Sequence, residues 1–205
     1  MEDRSPQGHS CQDRRSQDRR SDDLGARERL LRRAVDHVAA NGLGQLSLRQ
    51  LATEIGTSHR MLIYHFGSKE GLLAEVAAEV EERQRRTLAG LERELAEHAG
   101  PGELLRHFWH RLAEPALRPH EQLFFRLYAD SLAGDRRLSG FAERTVLAWL
   151  DPLAESARRR GLPPDRARAQ ARLGLAVVRG LLLDLLATGD RAGVDAALDE
   201  FAGTL

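Results

Sequence analysis

The chain has 205 residues, 41% hydrophobic and 30% charged, with Lys+Arg and Asp+Glu equal at 31 each. This composition excludes a fully disordered or membrane-embedded chain, and the charge balance means that any pull toward an anionic partner is local. Cys11 is the lone cysteine, so no intrachain disulfide is possible, which fits a reducing cytoplasm. The longest apolar stretch, "GLLLDLLATG", is broken by Asp184 and falls far short of a bilayer span, so a cytoplasmic protein without membrane contact is expected.

Residues 1–23 alternate Ser, Gln, Asp and Arg, with no large aliphatic side chain before Leu24. A segment that buries so little does not offset its ordering entropy, and a disordered N-terminal arm is expected. It is either a solvated tail or an Arg-bearing arm for a minor groove, and its Asp residues weigh against the groove.

From Leu24 onward the spacing is helical throughout. Leu30, Leu31, Ala34, Val35 and Val38 form one stripe, ended by Asn41 and Gly42. Leu48, Leu51, Ala52 and Ile55 form a second, with Ser47 as its N-cap and Gly56 as its stop. Ser58 to Phe66 make a third short helix that stops at Gly67, and Ser68 caps a helix of about 28 residues through Leu72, Val76, Val80 and Leu91. Further helices are expected near 102–117, 120–133, 138–160, 164–188 and 191–203, with Pro and Gly at the breaks. The prediction is an all-α protein: a helix-turn-helix unit over 24–68, then a larger helical unit over 69–205 whose first helix joins the two.

The residues at 52, 56 and 62 carry the turn. Two helices that cross closely need a small residue, here Ala52. The bend needs a residue tolerant of positive φ, here Gly56, and the second helix needs an apolar anchor, here Leu62. Leu62 and Phe66, four apart, then face inward while His59, Arg60 and Tyr64 face elsewhere. With the start of this helix in a major groove, Thr57, Ser58, His59, Arg60 and Met61 approach bases and flanking phosphates. Arg60 suits a bidentate contact to guanine and Met61 a thymine methyl. Ser47, Tyr64, His65 and Lys69, the only lysine, are candidates for the DNA-binding surface, the last three where the backbone should pass. Lys69 opens a helix whose first turn favours phosphate. Between residues 24 and 67, six Arg oppose Glu28, Asp36 and Glu54.

The stretch "GLGQLSLRQLATEIGTSHRMLIYHFGSKEGLLAEV", residues 42–76, resembles the TetR family of bacterial transcriptional regulators. It matches the Leu-Ala pair, the Gly turn, the Tyr-His-Phe run and the Ser-Lys-Glu-x-Leu of that family, while Ile63 stands where many members have a phosphate-contacting tyrosine. The resemblance implies a homodimeric, ligand-responsive DNA-binding protein, commonly a repressor, bound to an inverted-repeat operator in double-stranded DNA and released by a small-molecule effector. It also implies a ligand cavity in the middle of the chain, where Phe108, Trp109, Phe124, Phe125, Tyr128 and Trp149 are candidate pocket residues.

For the dimer, the apolar face of 164–188 is the candidate: Leu173, Val177, Gly180, Leu181 and Leu185, with Gly174 and Ala176 allowing close approach. Leu147, Leu150 and Leu153, or the last helix, would complete it. His107 and His110 lie between Glu103 and Glu114 at helical spacing, yet no further histidine or cysteine closes a metal site, so no metal or cofactor is expected. An enzyme is not expected either, since no phosphate loop, nucleophile elbow or framed carboxylate pair is present. The rival reading is a helical sensor or scaffold of the same fold without specific DNA binding.

Overall fold

The computed structural model describes residues 10–41, 47–95 and 100–205. Among these it contains nine α-helices and no strand: α1 Ser10–Asn41, α2 Leu48–Glu54, α3 His59–Phe66, α4 Lys69–Leu95, α5 Pro101–Leu112, α6 Arg118–Leu132, α7 Phe141–Arg159, α8 Pro164–Thr188 and α9 Arg191–Ala202. Two 3₁₀ turns, Pro115–Leu117 and Arg136–Leu138, lead toward α6 and α7. The helix expected over 102–117 is thus divided, because Pro115 has no N–H to continue it. No described helix is long and apolar enough to cross a membrane.

The expected disorder of 1–23 is corrected in part. Helix α1 begins at Ser10, and residues 1–9 lie outside the described ones. From Ser10 to Leu24 the chain has neither proline nor glycine, so it extends a helix already nucleated by the packing of Leu30, Ala34, Val35 and Val38. Propagation from an existing helix avoids the costly nucleation that an isolated polar segment would face.

Two apolar cores fill the protein. The first joins α1, α2 and α3 to the start of α4, and also takes in Leu123, Phe124 and Leu127 of α6, Leu138 and Phe141. The second unites the end of α4 with α5, α7, α8 and α9 around Trp109, Leu150 and Leu198. The sequence-based division at 68/69 is therefore not a seam between cores: α4 contributes Leu72, Val76 and Val80 to one and Leu91 to the other. Polar bonds reinforce the junction. His120 of α6 meets the Val35 carbonyl of α1 at 3.2 Å, and Arg137 pairs with Glu70 of α4 at 3.0 Å.

A helix-turn-helix wedge and a cavity with buried acids

The wedge is built by local chemistry. Ser47 caps α2 through a reciprocal box: its Oγ accepts from the Gln50 N–H, and the Gln50 side chain accepts from the Ser47 N–H at 2.9 Å. Helix α2 ends in a Schellman turn. The Thr57 N–H reaches the Ala52 carbonyl at 2.8 Å, the Gly56 N–H reaches Thr53, and Gly56 sits at φ 70°. Arg33 of α1 donates to the Ile55 carbonyl at 3.2 Å, satisfying another group of that turn. Ser58 then caps α3, accepting from the Met61 N–H at 3.2 Å. Leu62 is fully buried and Ala52 lies beside it in the same core.

The wedge is fixed onto α4 by close contact. A side chain at Gly71 would place its Cβ 2.3 Å from the Phe66 carbonyl oxygen, so the end of α3 can sit there only against glycine. Arg27 of α1 pairs with Glu75 of α4 and lies 5.2 Å from the centre of the Phe66 ring.

Helix α3 therefore presents its other side outward. His59, Arg60, Met61 and Ile63 are exposed, Tyr64 is 68% exposed, and Thr57 is half-buried just before the helix. Lys69 stands half-buried at the first residue of α4, and Ser47 is exposed at the α2 cap. His65 departs from expectation. Its side chain is 2% exposed, with an unsatisfied Nε2, and its ring lies 4.9 Å from Tyr64, so it faces the protein rather than a passing phosphate. The reason is helical phase: His65 turns toward α1, where Asp23 stands 4.0 Å away. The same carboxylate takes a 3.4 Å hydrogen bond from the Tyr64 hydroxyl.

A cavity of about 130 Å³ lies between α4, α5, α6, α7 and α8. It is comparable with the roughly 150 Å³ engineered apolar cavity that accepts benzene. Phe108, Phe124, Phe125 and Trp149 line it, together with Leu88, Leu104, Leu112, Leu175 and Leu182. Trp109 and Tyr128 do not. The Trp109 ring is fully buried, with its indole N–H donating to Asp195 at 2.6 Å, so it fastens α5 to α9. Tyr128 packs against Phe124, 5.6 Å between ring centres, on the first core.

Polar side chains also line the cavity without having been expected there, among them Glu81, Gln84, Glu121 and Arg179. A signal existed: Ala77, Glu81, Gln84 and Leu88 recur on one helical face, and Glu121 precedes Phe124 and Phe125 by three and four residues. Arg179 meets Glu81 at 3.3 Å and stacks over Phe124 at 4.9 Å. Gln84 donates to Glu121 at 2.6 Å. Burial pushes the Glu121 carboxyl up to about 7; the Gln84 bond and Arg179 oppose this and Glu81 adds to it. Burial also raises Glu81, against the pull of Arg179 and Arg85.

The candidate dimer helix has two aspects. Leu173 is 56% exposed, Gly180 is exposed, and Val177 is half-buried between them. Leu181 and Leu185 instead pack in part against the second core. Leu150 is fully buried, and Leu153 and Gly174 line the cavity. Leu183 of α8, 52% exposed, and Leu147 of α7, 41% exposed, are further exposed leucines on these two helices. His107 lies 4.0 Å from Glu103 and His110 lies 3.3 Å from Arg191; among the described residues no three His, Cys, Asp or Glu side chains gather as a metal site would require.

Residues 30–76 match the sequence model of the bacterial regulatory proteins of the tetR family, across the segment that forms the wedge. Over those residues the chain is similar to the TetR family. Solved structures repeat the fold along most of the chain. A Rhodococcus sp. protein described as a TetR-family transcriptional regulator aligns with TM-score 0.67 and 21% identity, over 87% of this chain and 96% of that one. A transcriptional regulator from Rhodococcus sp. Rha1 aligns with TM-score 0.67 and 24% identity, over 87% and 94%. A Saccharomonospora viridis protein described as a transcriptional regulator, in complex with choline, aligns with TM-score 0.63 and 22% identity, over 88% and 95%. At these identities the likeness is one of fold. No protein of curated function matches the sequence.

Proposed function

We propose that this protein is a TetR-type homodimeric repressor that binds an inverted-repeat operator and is released when a small molecule occupies the cavity. Each wedge would enter a major groove with Thr57, Ser58, His59, Arg60 and Met61 toward the bases. Ser47, Tyr64 and Lys69 would lie along the backbone, Tyr64 after giving up Asp23. His65 stays inside as a support for α3.

The observation that carries this reading is the double duty of α6. Glu121 and Phe124 form part of the cavity wall, while the neighbouring His120 docks on the Val35 carbonyl of α1. A molecule that moves α6 also moves the base of the wedge. Such a ligand acts only through its different affinity for the two arrangements, and about 100-fold corresponds to nearly 3 kcal/mol.

A dimer is supported by the outer face of α8. A glycine within a helix costs about 1 kcal/mol relative to alanine, yet a side chain at Gly180 would meet nothing within 4 Å in its own subunit. A second backbone packed there gives that glycine a purpose, and α8 also carries Leu173 and Leu183 as exposed apolar side chains. Two wedges are also needed for affinity, since one grips few phosphates.

Selection of duplexes from a random pool tests the reading. Recovered sites should be inverted repeats with half-sites about 34–36 Å apart. Arg60→Ala should cost about 1–3 kcal/mol at one base pair of each half-site, whereas Lys69→Ala should weaken all sequences alike and lower the salt slope by about 1 per wedge. Selection of no preferred sequence would overturn it in favour of a sensor without an operator.

A further inference from the structure

We propose that the cavity is built for a monocation with an apolar or aromatic body, its positive charge held between the carboxylates of Glu121 and Glu81. The proposal names the effector class for the ligand-responsive reading above and rests on it.

The two acids differ in how they are matched. Glu81 faces Arg179 through Oε1, while its Oε2 is buried without a hydrogen-bond partner, with Arg85 3.8 Å away and itself shared with Glu82. Glu121 is 6% exposed, and its hydrogen-bond partner is the neutral amide of Gln84. The groups facing Glu121 are thus Glu81 and Gln84 from α4 and Arg179 from α8, and Arg179 is already engaged with Glu81 and with the Phe124 and Tyr128 rings. A buried carboxylate left without a matching cation is costly and is ordinarily removed from apolar walls unless something pairs with it.

The far end of the cavity shows the contrast. There Glu92 is met by Arg159 at 3.1 Å and by the Ser156 hydroxyl, which in turn accepts from Arg160 at 2.6 Å. That acid is satisfied by the protein. Between the ends lie Phe108, Trp149 and Phe124; Arg85 and Arg179 already stand over the Trp149 and Phe124 rings, at 5.7 and 4.9 Å, and the bulk of all three suits an apolar body. An anion would meet two carboxylates, and a neutral molecule would leave Glu121 as it is. A cation supplies the missing partner.

Binding also moves a proton. Near pH 7 Glu121 is divided between its neutral and ionised forms, and an ammonium beside it favours the carboxylate. The proton leaves the carboxyl oxygen for the buffer, so cation uptake should release protons around neutrality and strengthen as pH rises through 7.

The test compares benzyltrimethylammonium with its uncharged carbon isostere, neopentylbenzene, by tryptophan-fluorescence titration of the full-length protein. Calorimetry of the cation in two buffers of different ionisation enthalpy measures the proton. The expected result is a preference for the cation of at least about tenfold, reduced to near parity in Glu121→Gln with the isostere's affinity kept, and proton release near pH 7. Equal binding of both probes overturns the cation assignment while leaving a ligand cavity intact. Failure of both probes to bind overturns the cavity reading itself, and a preference undiminished in Glu121→Gln overturns the role of Glu121.

Discussion

The wedge and the cavity-bearing half treat polar and apolar residues in opposite ways. In the wedge, apolar side chains such as Leu62, Phe66 and Val35 are inside, and the outward face of α3 is mainly polar, with Met61 and Ile63 the exceptions. In the other half, two carboxylates stand inside an apolar cavity while Leu147, Leu173 and Leu183 face out. The wedge thus follows the inside-outside rule apart from the buried His37 and His65 and the exposed Met61 and Ile63, while the second half breaks it with buried carboxylates and with exposed leucines. Stability alone gives no reason for either break; the cation and the second subunit proposed above would each supply one.

The strongest way to break the wedge is Leu62→Ala. Removing a fully buried leucine from beneath the turn should cost about 2–5 kcal/mol in chemical or thermal unfolding. A cost below about 1 kcal/mol would mean that α3 is not held as described.

The next largest effect sharpens the cavity side and has a defined sign. The Glu121 pKa is raised from an ordinary 4.5 to about 7 on folding. Its contribution is then most favourable below pH 4.5 and is lost as pH rises toward and through 7. Above that point the buried charge costs on the order of 3 kcal/mol. Glu121→Gln should therefore raise stability at pH 8 relative to the parent, with a much smaller difference at pH 4, as read by denaturant midpoints at each pH.

A smaller effect tests the outer face. Leu173→Glu should weaken self-association by about 2 kcal/mol, or roughly thirtyfold, in sedimentation equilibrium, and leave monomer stability nearly unchanged. An unaltered association constant would place the subunit contact elsewhere.

How much of this was readable in advance follows the same division. The wedge was legible because its signals are local: Ser47 and Ser58 as caps, Gly56 and Gly67 at positive φ, and Leu62 four residues before Phe66. The α1 extension was misread because composition describes a segment in isolation, whereas Ser10–Asp23 inherits its helix from the packed residues that follow. The inward turn of His65 is not legible in the sequence, because a polar residue among polar neighbours carries no mark of its helical phase. In the second half, periodicity located α8 at 164–188 as found, but which of its flanks meets α7 is a tertiary fact. Leu181 and Leu185, expected on the outward face, are thus partly buried against the second core, and Leu183 is exposed. Aromatic side chains mark the cavity in the sequence, whereas its acids carry no such mark, because charged residues on long helices usually face solvent.

The central claim is that cavity and wedge move together in a dimer. It is tested most directly by pulsed dipolar spectroscopy on the Met61→Cys, Cys11→Ser protein, spin-labelled on the exposed start of α3. The distance between the two labels would be measured with and without a saturating amount of whichever probe binds the cavity. The account predicts a population near 34–36 Å without the probe and its depletion when the probe is bound. The absence of an intersubunit distance, or a distribution unchanged by a probe shown to be bound, would contradict it.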